Sequence, residues 1–213
     1  MSLVELIAQA DERGLAASGL ACLDRCVPLL GGDDEILRPL WASLVDGDAW
    51  EDRLEQARAK LDSGDRAATA ARAGTGGAAE RVPAGPGRPS PAAAALRDED
   101  EASALARRML DAVPAQPSSG GLRAWADACS VAALQIHRLL DAADDGSSSV
   151  SARREGRTDG MSPLVAAELR RQVTILELLA DHGAGGLRPA LDVSTEGRRV
   201  LRAVVSRRAR GRA

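Results

Sequence analysis

The three cysteines are the side chains of this sequence best suited to bind a metal ion or to act as a nucleophile. Cys22 and Cys26 lie four positions apart, so a helix would place both thiols on one face, as two metal ligands would require. Their neighbours are mostly Leu, Ala and Val, and the nearest carboxylate, on Asp24, falls with Arg25 on the polar side of such a helix, opposite the thiols. We interpret both as small core residues, together with Cys129, which follows Trp125 by one turn. The prediction is no metal site and no cofactor.

His137 is the other residue that could take part in catalysis. Asp141 follows it by one helical turn, and a carboxylate in that position can orient a histidine as a general base. Ser130 is the only candidate nucleophile on that side of the helix. A histidine paired with a carboxylate is common at the edge of a solvated surface, and no H-E-x-x-H, G-x-S-x-G or Glu-x-x-His pattern occurs. The sequence therefore predicts a protein that is not an enzyme.

Gln172 lies in the middle of an apolar helical stripe, where an amide without a hydrogen-bond partner would cost about 1 to 3 kcal/mol. Three arrangements would satisfy it: a partner across a helical bundle, an interface with another chain, or a rotated helix that puts it at a wet edge. Five apolar residues, among them Leu164, lie off the main stripes of their helices and imply a second packing surface. The predicted interface residues are Gln172, Ile175, Leu178, Val131 and Leu134.

The charge of the chain changes sign along its length. The net charge is −3, but residues 188–213 contain eight arginines against Asp192 and Glu196. If Ser194 begins a helix here, its apolar side leaves the core near Ser206. The positive end can meet nucleic acid, an anionic membrane surface or the acidic half of another copy. The predicted nucleic-acid contacts are Thr195, Arg198, Arg199, Arg202, Arg207 and Arg208.

The stretch ILELLADHGAGGLRPALDVSTEGRRVLRAVV, residues 175–205, resembles the DNA-binding region of bacterial helix-turn-helix regulators. In that family a helix of the ILELLA type is followed by a short helix, a turn and a recognition helix. The resemblance implies a turn at residues 191–194 and a recognition helix whose Thr195, Arg198, Arg199 and Arg202 face DNA. The absence of Phe and Tyr disfavours single-stranded nucleic acid, because its binding uses aromatic stacking.

The elements that must position these residues are predicted to be helices throughout. Alanine and leucine dominate the composition and β-branched residues are scarce, which favours helices over strands. We predict an all-α fold in two helical segments, residues 1–62 and a four-helix bundle over residues 92–206. Residues 63–91 contain almost no large side chain, so they are predicted to form a flexible Ala/Gly/Pro linker. Residues 207–213 are predicted to be a loose basic tail.

Glycines, prolines and capping residues predict several helix boundaries. Gly14 is expected to end the first helix, and Pro28 is expected to end or kink the second. Ser162 and Pro163 predict the start of a helix in the second segment, and Gly183 predicts its end.

The composition also indicates the source and the compartment. Phe, Tyr and Asn are absent and only one of the 28 basic residues is a lysine, which points to a bacterial genome of high GC content. The first residues lack the basic stretch of a signal peptide, and no apolar run approaches the roughly 20 residues of a membrane span. Three cysteines without a C-x-x-C pattern argue against a disulfide framework. We expect a cytoplasmic protein that makes no membrane contact.

The sequence alone predicts only a broad class of function. The favoured hypothesis is a non-catalytic helical module that acts through protein contacts or regulation and associates with itself. The alternative is a DNA-binding transcriptional regulator that uses residues 175–205 and the C-terminal arginines.

Overall fold

The computed structural model describes residues 1–74, 90–143, 145 and 148–211, and the side chains of all of these except residues 65–74 and 91. Over these ranges the chain forms α-helices and short 3₁₀ helices, and they contain no strand. The predicted all-α fold is confirmed. No helix in the described ranges is both long enough and apolar enough to cross a lipid bilayer.

The helices fall into an N-terminal and a C-terminal group. The N-terminal group is α1 (Leu3–Gln9), α2 (Glu12–Cys26), a 3₁₀ helix (Val27–Leu30), α3 (Arg38–Asp46) and α4 (Trp50–Gly74). The C-terminal group is α5 (Pro91–Asp111), α6 (Ser119–Leu140), α7 (Val150–Arg154), α8 (Pro163–His182), a 3₁₀ helix (Gly183–Gly186) and α9 (Leu187–Arg210).

Side-chain caps determine where the first two helices begin. Ser2 and Glu5 form a capping box, in which Ser2 N donates to Glu5 Oε2 at 2.7 Å and Glu5 N donates to Ser2 Oγ at 3.3 Å. Asp11 caps α2 by accepting a hydrogen bond from Gly14 N at 2.7 Å. The prediction that Gly14 ends the first helix is wrong, because α1 already ends at Gln9 and the Asp11 cap starts α2 before Gly14.

Pro28 ends α2 as predicted. The α-helix stops at Cys26 and gives way to the 3₁₀ helix that contains the proline, since proline has no N–H to continue the hydrogen-bond ladder. Gly31 follows with a φ of 68°, a left-handed conformation that glycine adopts without strain. The chain thereby turns away from α2 toward α3.

Helix α2 is the centre of the fold. It packs against α6, α9, α8 and α5, while α5, α6, α8 and α9 pack against one another in chain order as the predicted four-helix bundle. Small side chains on α2 allow this close approach: Gly19 lies against the Trp125 ring, and a Cβ at Gly19 would stand 2.6 Å from it. The two predicted segments therefore share one hydrophobic core.

Helix α8 has the predicted boundaries, with Ser162 at its N-cap, Pro163 in its first turn and Gly183 after its last residue. Two expectations for α9 are wrong, because residues 187–210 form one continuous helix. The turn at residues 191–194 implied by the helix-turn-helix resemblance is therefore absent, since Pro189 sits in the first helical turn, where it breaks no internal hydrogen bond. The helix also continues past Ser206, so residues 207–210 are not a loose tail.

The predicted linker, residues 63–91, overlaps the described residues at both ends. Helix α4 extends into it as far as Gly74, because alanine favours helix, and α5 begins at Pro91. The rest of the linker prediction, residues 75–89, lies outside the described residues, as do residues 212 and 213 of the predicted tail.

Candidate functional site

A buried ion pair joins α2 to α8. Arg25 Nε donates to Glu168 Oε2 at 2.8 Å and Arg25 Nη2 donates to Glu168 Oε1 at 2.6 Å, with both side chains fully buried. Burial alone would raise the pKa of Glu168, but the facing Arg25 guanidinium outweighs it and holds that pKa below its ordinary value. Burial by itself would lower the pKa of Arg25, and Glu168 raises it instead. Both groups are therefore charged at neutral pH.

Hydrogen bonds extend this ion pair to α6. Gln172 Nε2 donates to Glu168 Oε1 at 2.8 Å, and Ser130 Oγ donates to Gln172 Oε1 at 2.7 Å. Arg154 Nε in turn donates to Ser130 Oγ at 3.0 Å and pairs through Nη2 with the half-exposed Asp127. Of the three arrangements predicted for Gln172, the partner across the bundle is confirmed.

His137 completes what we call the buried polar cluster, which consists of Arg25, Ser130, His137, Glu168 and Gln172. Its Nδ1 lies 2.7 Å from Ala133 O, and its Nε2 lies 3.5 Å from Glu168 Oε2. The predicted edge position beside Asp141 is wrong, because the His137 side chain is fully buried. The Asp141 carboxylate instead accepts one hydrogen bond from Leu164 N at the start of α8 and one from Ala143 N.

The buried polar cluster is closed to any substrate. Its members are at most 2% exposed, and the one carboxylate already accepts hydrogen bonds from Arg25 and Gln172. Cys22 Sγ accepts a hydrogen bond from Arg25 Nη2 at 3.4 Å, and burial raises the pKa of its thiol to about 12, which keeps it protonated. All three cysteines are buried and free, as predicted. What the cluster can do is hold α2, α6 and α8 in one register.

We expect the stability of the protein to fall as the pH drops below about 6.5 because of His137. Burial lowers the pKa of His137, an effect that the facing Glu168 opposes and that Arg25 and Arg171 reinforce. At pH values between the lowered pKa of the folded state and the ordinary pKa of histidine, the imidazole of residue 137 is therefore protonated in the unfolded chain but neutral in the folded chain. Up to about 1.4 kcal/mol of stability is lost per pH unit within that window.

Urea unfolding midpoints at pH 7.5, 6.5 and 5.5 would measure this effect. The slope between the two lower pH values should disappear in His137→Gln and persist in His182→Gln, which changes an exposed histidine. If the slope persists in His137→Gln, groups other than His137 cause the pH dependence of stability.

A second polar contact, the α2–α9 clamp, begins at the neighbouring residue of α2. Arg198 Nη1 donates to Asp24 Oδ1 at 2.6 Å, and Ser194 Oγ donates to Asp24 Oδ2 at 2.8 Å. Burial raises the pKa of Asp24, although Arg198 counteracts it. Asp34 pairs with both Arg198 and Arg202, at 3.2 and 2.8 Å. Adjacent residues of α2 thus bind two different helices.

Gly197 lets the two contacts coexist. A Cβ at this position would overlap Cδ of Arg25 and stand 2.9 Å from Cδ of Arg171. A glycine within a helix costs roughly 1 kcal/mol of stability relative to alanine. The Arg25 side chain occupies the space that a Cβ would need, which explains why this position is a glycine.

The predicted nucleic-acid contacts are largely engaged within the chain. Arg198 is buried by the clamp, so it reaches no surface that DNA could contact, and Arg202 pairs with Asp34. Arg208 lies near Asp98 and Glu99 of α5, at 3.3 Å from each. Thr195 is half-buried, whereas Arg199 and Arg207 remain exposed. The basic end of the chain therefore neutralises acidic residues of its own protein.

The predicted interface residues also divide. Gln172, Ile175 and Leu134 are buried in the core of the single chain, which removes them from any interface with another copy. Helix α2 packs against both α6 and α8, and helical periodicity in the sequence could not reveal this contact. Val131 and Leu178 are half-buried and remain at the surface.

Three open apolar grooves mark the outside of the described fold. The α5–α6 groove is lined by Leu105, Arg108, Met109, Trp125, Val131 and Gln135, among others. The α6–α8–α9 groove is lined by Leu140, Asp141, Leu164, Val204, Arg207 and Arg208, among others. The α3–α9 groove is lined by Arg38, Trp41, Ala42, Val45, Leu187, Arg188 and Leu191.

The charged residues of the core were not predicted from the sequence. Asp24 and Arg25 were placed on the solvated side of their helix, and Glu168 was not singled out. A signal was present, since LACLDRCVPLL surrounds this charged pair with apolar residues on both sides.

Within the described residues, no group of three His, Cys, Asp or Glu side chains is placed to hold a metal ion. Comparison of the chain with protein-family models, curated proteins and solved structures found no match.

Proposed function

We propose that the protein is a non-catalytic helical module that acts in the cytoplasm through protein contacts, including contacts between its own copies. The observation that carries this proposal is the α3–α9 groove, where Val45 is 62% exposed beside Trp41 and Leu191. A contiguous apolar surface of this kind is typical of a protein–protein contact.

One feature of the interior and one of the surface support the non-catalytic part of the proposal. The buried titratable groups Arg25, His137 and Glu168 lie inside the closed polar cluster rather than in a groove. The grooves are lined mainly by apolar side chains, which suits packing better than chemistry. The DNA-binding alternative loses its main support, because α9 is continuous and Arg198 is buried.

We expect the protein to run above 22.1 kDa in light scattering at micromolar concentration. Val45→Gln should weaken this association about tenfold, because burial of one valine contributes roughly 1.5 kcal/mol or more. Ala124→Gln changes an exposed residue of α6 outside the three grooves and should leave the mass unchanged. A monomer at every concentration, or equal effects of the two variants, would count against the proposal.

A further inference from the structure

Two exposed apolar side chains within helices stand in opposite electrostatic surroundings. The exposed large apolar residues of the described chain are Met1, Val4, Val45 and Leu96, and the first two belong to the N-terminus. Val45 on α3 lies in a groove that also contains two arginines. Leu96 on α5 is 49% exposed and is followed by the run of acids DEDE at residues 98–101.

The α3–α9 groove is a short apolar slot with a positive rim. Arg38 pairs with Glu35 at 2.9 Å, whereas Arg188 is exposed and makes no ion pair with any described residue. The slot measures about 250 Å³, below the 300 to 1,000 Å³ typical of small-molecule sites. A slot of this size suits a side chain inserted between Trp41 and Val45.

Helix α5 presents a ridge with the complementary character. Ala93, Leu96, Asp100 and Ala104 are all exposed and follow one another at spacings of three or four, so they lie along one side of the helix. Asp98 and Glu99 face Arg208 on another side. Asp100 makes no ion pair with a described residue, which leaves its carboxylate available one turn after Leu96.

We propose that the α3–α9 groove receives the α5 ridge of a second copy, with Leu96 against Trp41 and Val45 and with Asp100 facing Arg188. This inference rests on the self-association proposed above and names its two surfaces. Because groove and ridge are different patches, a pair of copies joined in this way leaves one groove and one ridge free. Association is therefore head-to-tail, and it ends in a closed ring or continues as an open chain.

The other two grooves fit an acidic ridge less well. The α6–α8–α9 groove is bordered by Asp141, and Arg208 at its rim already faces Asp98 and Glu99. The α5–α6 groove offers an acidic ridge only one charged partner, Arg108. The α3–α9 groove is the one of the three whose lining contains two basic residues and no acidic one.

Charge exchange in the full-length protein tests the contact. Arg188→Glu and Asp100→Arg each place like charges across it, and each variant alone should weaken association about tenfold or more at low salt. An equimolar mixture of the two variants should associate again, because the acidified groove of one variant then meets the basic ridge of the other. The double variant R188E/D100R should associate by itself for the same reason.

Sedimentation velocity of the variants and the mixture gives the readout. Arg170→Glu reverses an exposed arginine of α8 outside the grooves and should leave association unchanged. If a charge variant fails to fold, Leu96→Gln and Val45→Gln test the same contact without changing charge. A monomeric wild type overturns both this inference and the self-association. An associating wild type that is insensitive to both charge variants, or a loss that the mixture does not restore, overturns this inference alone.

Discussion

Replacement of Glu168 by alanine is expected to destabilise the protein by about 3 to 5 kcal/mol. The change leaves the Arg25 guanidinium buried without its counter-charge and removes an acceptor from Gln172 Nε2. An uncompensated buried charge costs more than the packing that alanine loses, because the low-polarity interior cannot replace the solvation by water. Urea unfolding followed by circular dichroism measures the loss.

Two further variants identify the cause of that loss. Arg157→Ala breaks the exposed Arg157–Glu155 pair and should change stability by only about 0 to 1 kcal/mol. The double change of Arg25→Met with Glu168→Leu replaces the buried pair by apolar side chains, and it should recover much of the stability lost in Glu168→Ala. If Glu168→Ala costs no more than Arg157→Ala, water reaches Arg25 and the cluster is not sealed.

Gly19→Ala is expected to cost about 1 to 3 kcal/mol, although alanine is the better helix former. The new methyl group would stand 2.6 and 2.7 Å from two ring carbons of Trp125. That ring is held in place, since Trp125 Nε1 donates to Met109 O at 3.0 Å and the Trp50 ring packs against it edge-on at 6.5 Å. Either the ring or α2 must shift.

The matched control for this change is Gly120→Ala in the first turn of α6. No atom lies within 4 Å of a Cβ built there, so this variant should be neutral or up to about 1 kcal/mol more stable. Thermal unfolding compares the two variants directly. Similar shifts for both would show that the Trp125 ring moves aside freely.

Helices were predictable where local chemistry decides them. The start of α8 at Pro163 and the end of α2 before Pro28 both depend on proline, which fits a first helical turn and has no N–H to continue a helix, and both are confirmed. Gly14 shows where prediction from local chemistry fails. The sequence alone does not distinguish a glycine in the first turn of one helix from a glycine that ends the preceding helix. The Asp11 cap decided between them. The turn expected at residues 191–194 failed for a related reason, since Pro189 fits the first turn of one long helix.

Local sequence could not identify the partners of the buried charges. Helical periodicity assigns a charged residue to the solvated side, and this assignment fails when a partner arrives from far along the chain. The partner of Arg25 is Glu168, 143 positions away. Gln172 was predictable in part, because a single amide within an apolar stripe demands a partner. Which of the three arrangements satisfied it depended on how α6 and α8 face each other.

The adjacent charges Asp24 and Arg25 have a consequence for dividing the chain. The N-terminal half supplies the counter-charges of Glu168 and Arg198, so a cut between residues 74 and 90 would strand two opposite charges in the severed C-terminal portion. Because the two halves also share one hydrophobic core, we expect neither of them to fold alone. A truncated protein that lacks α2 would therefore not reproduce the structure of the whole chain.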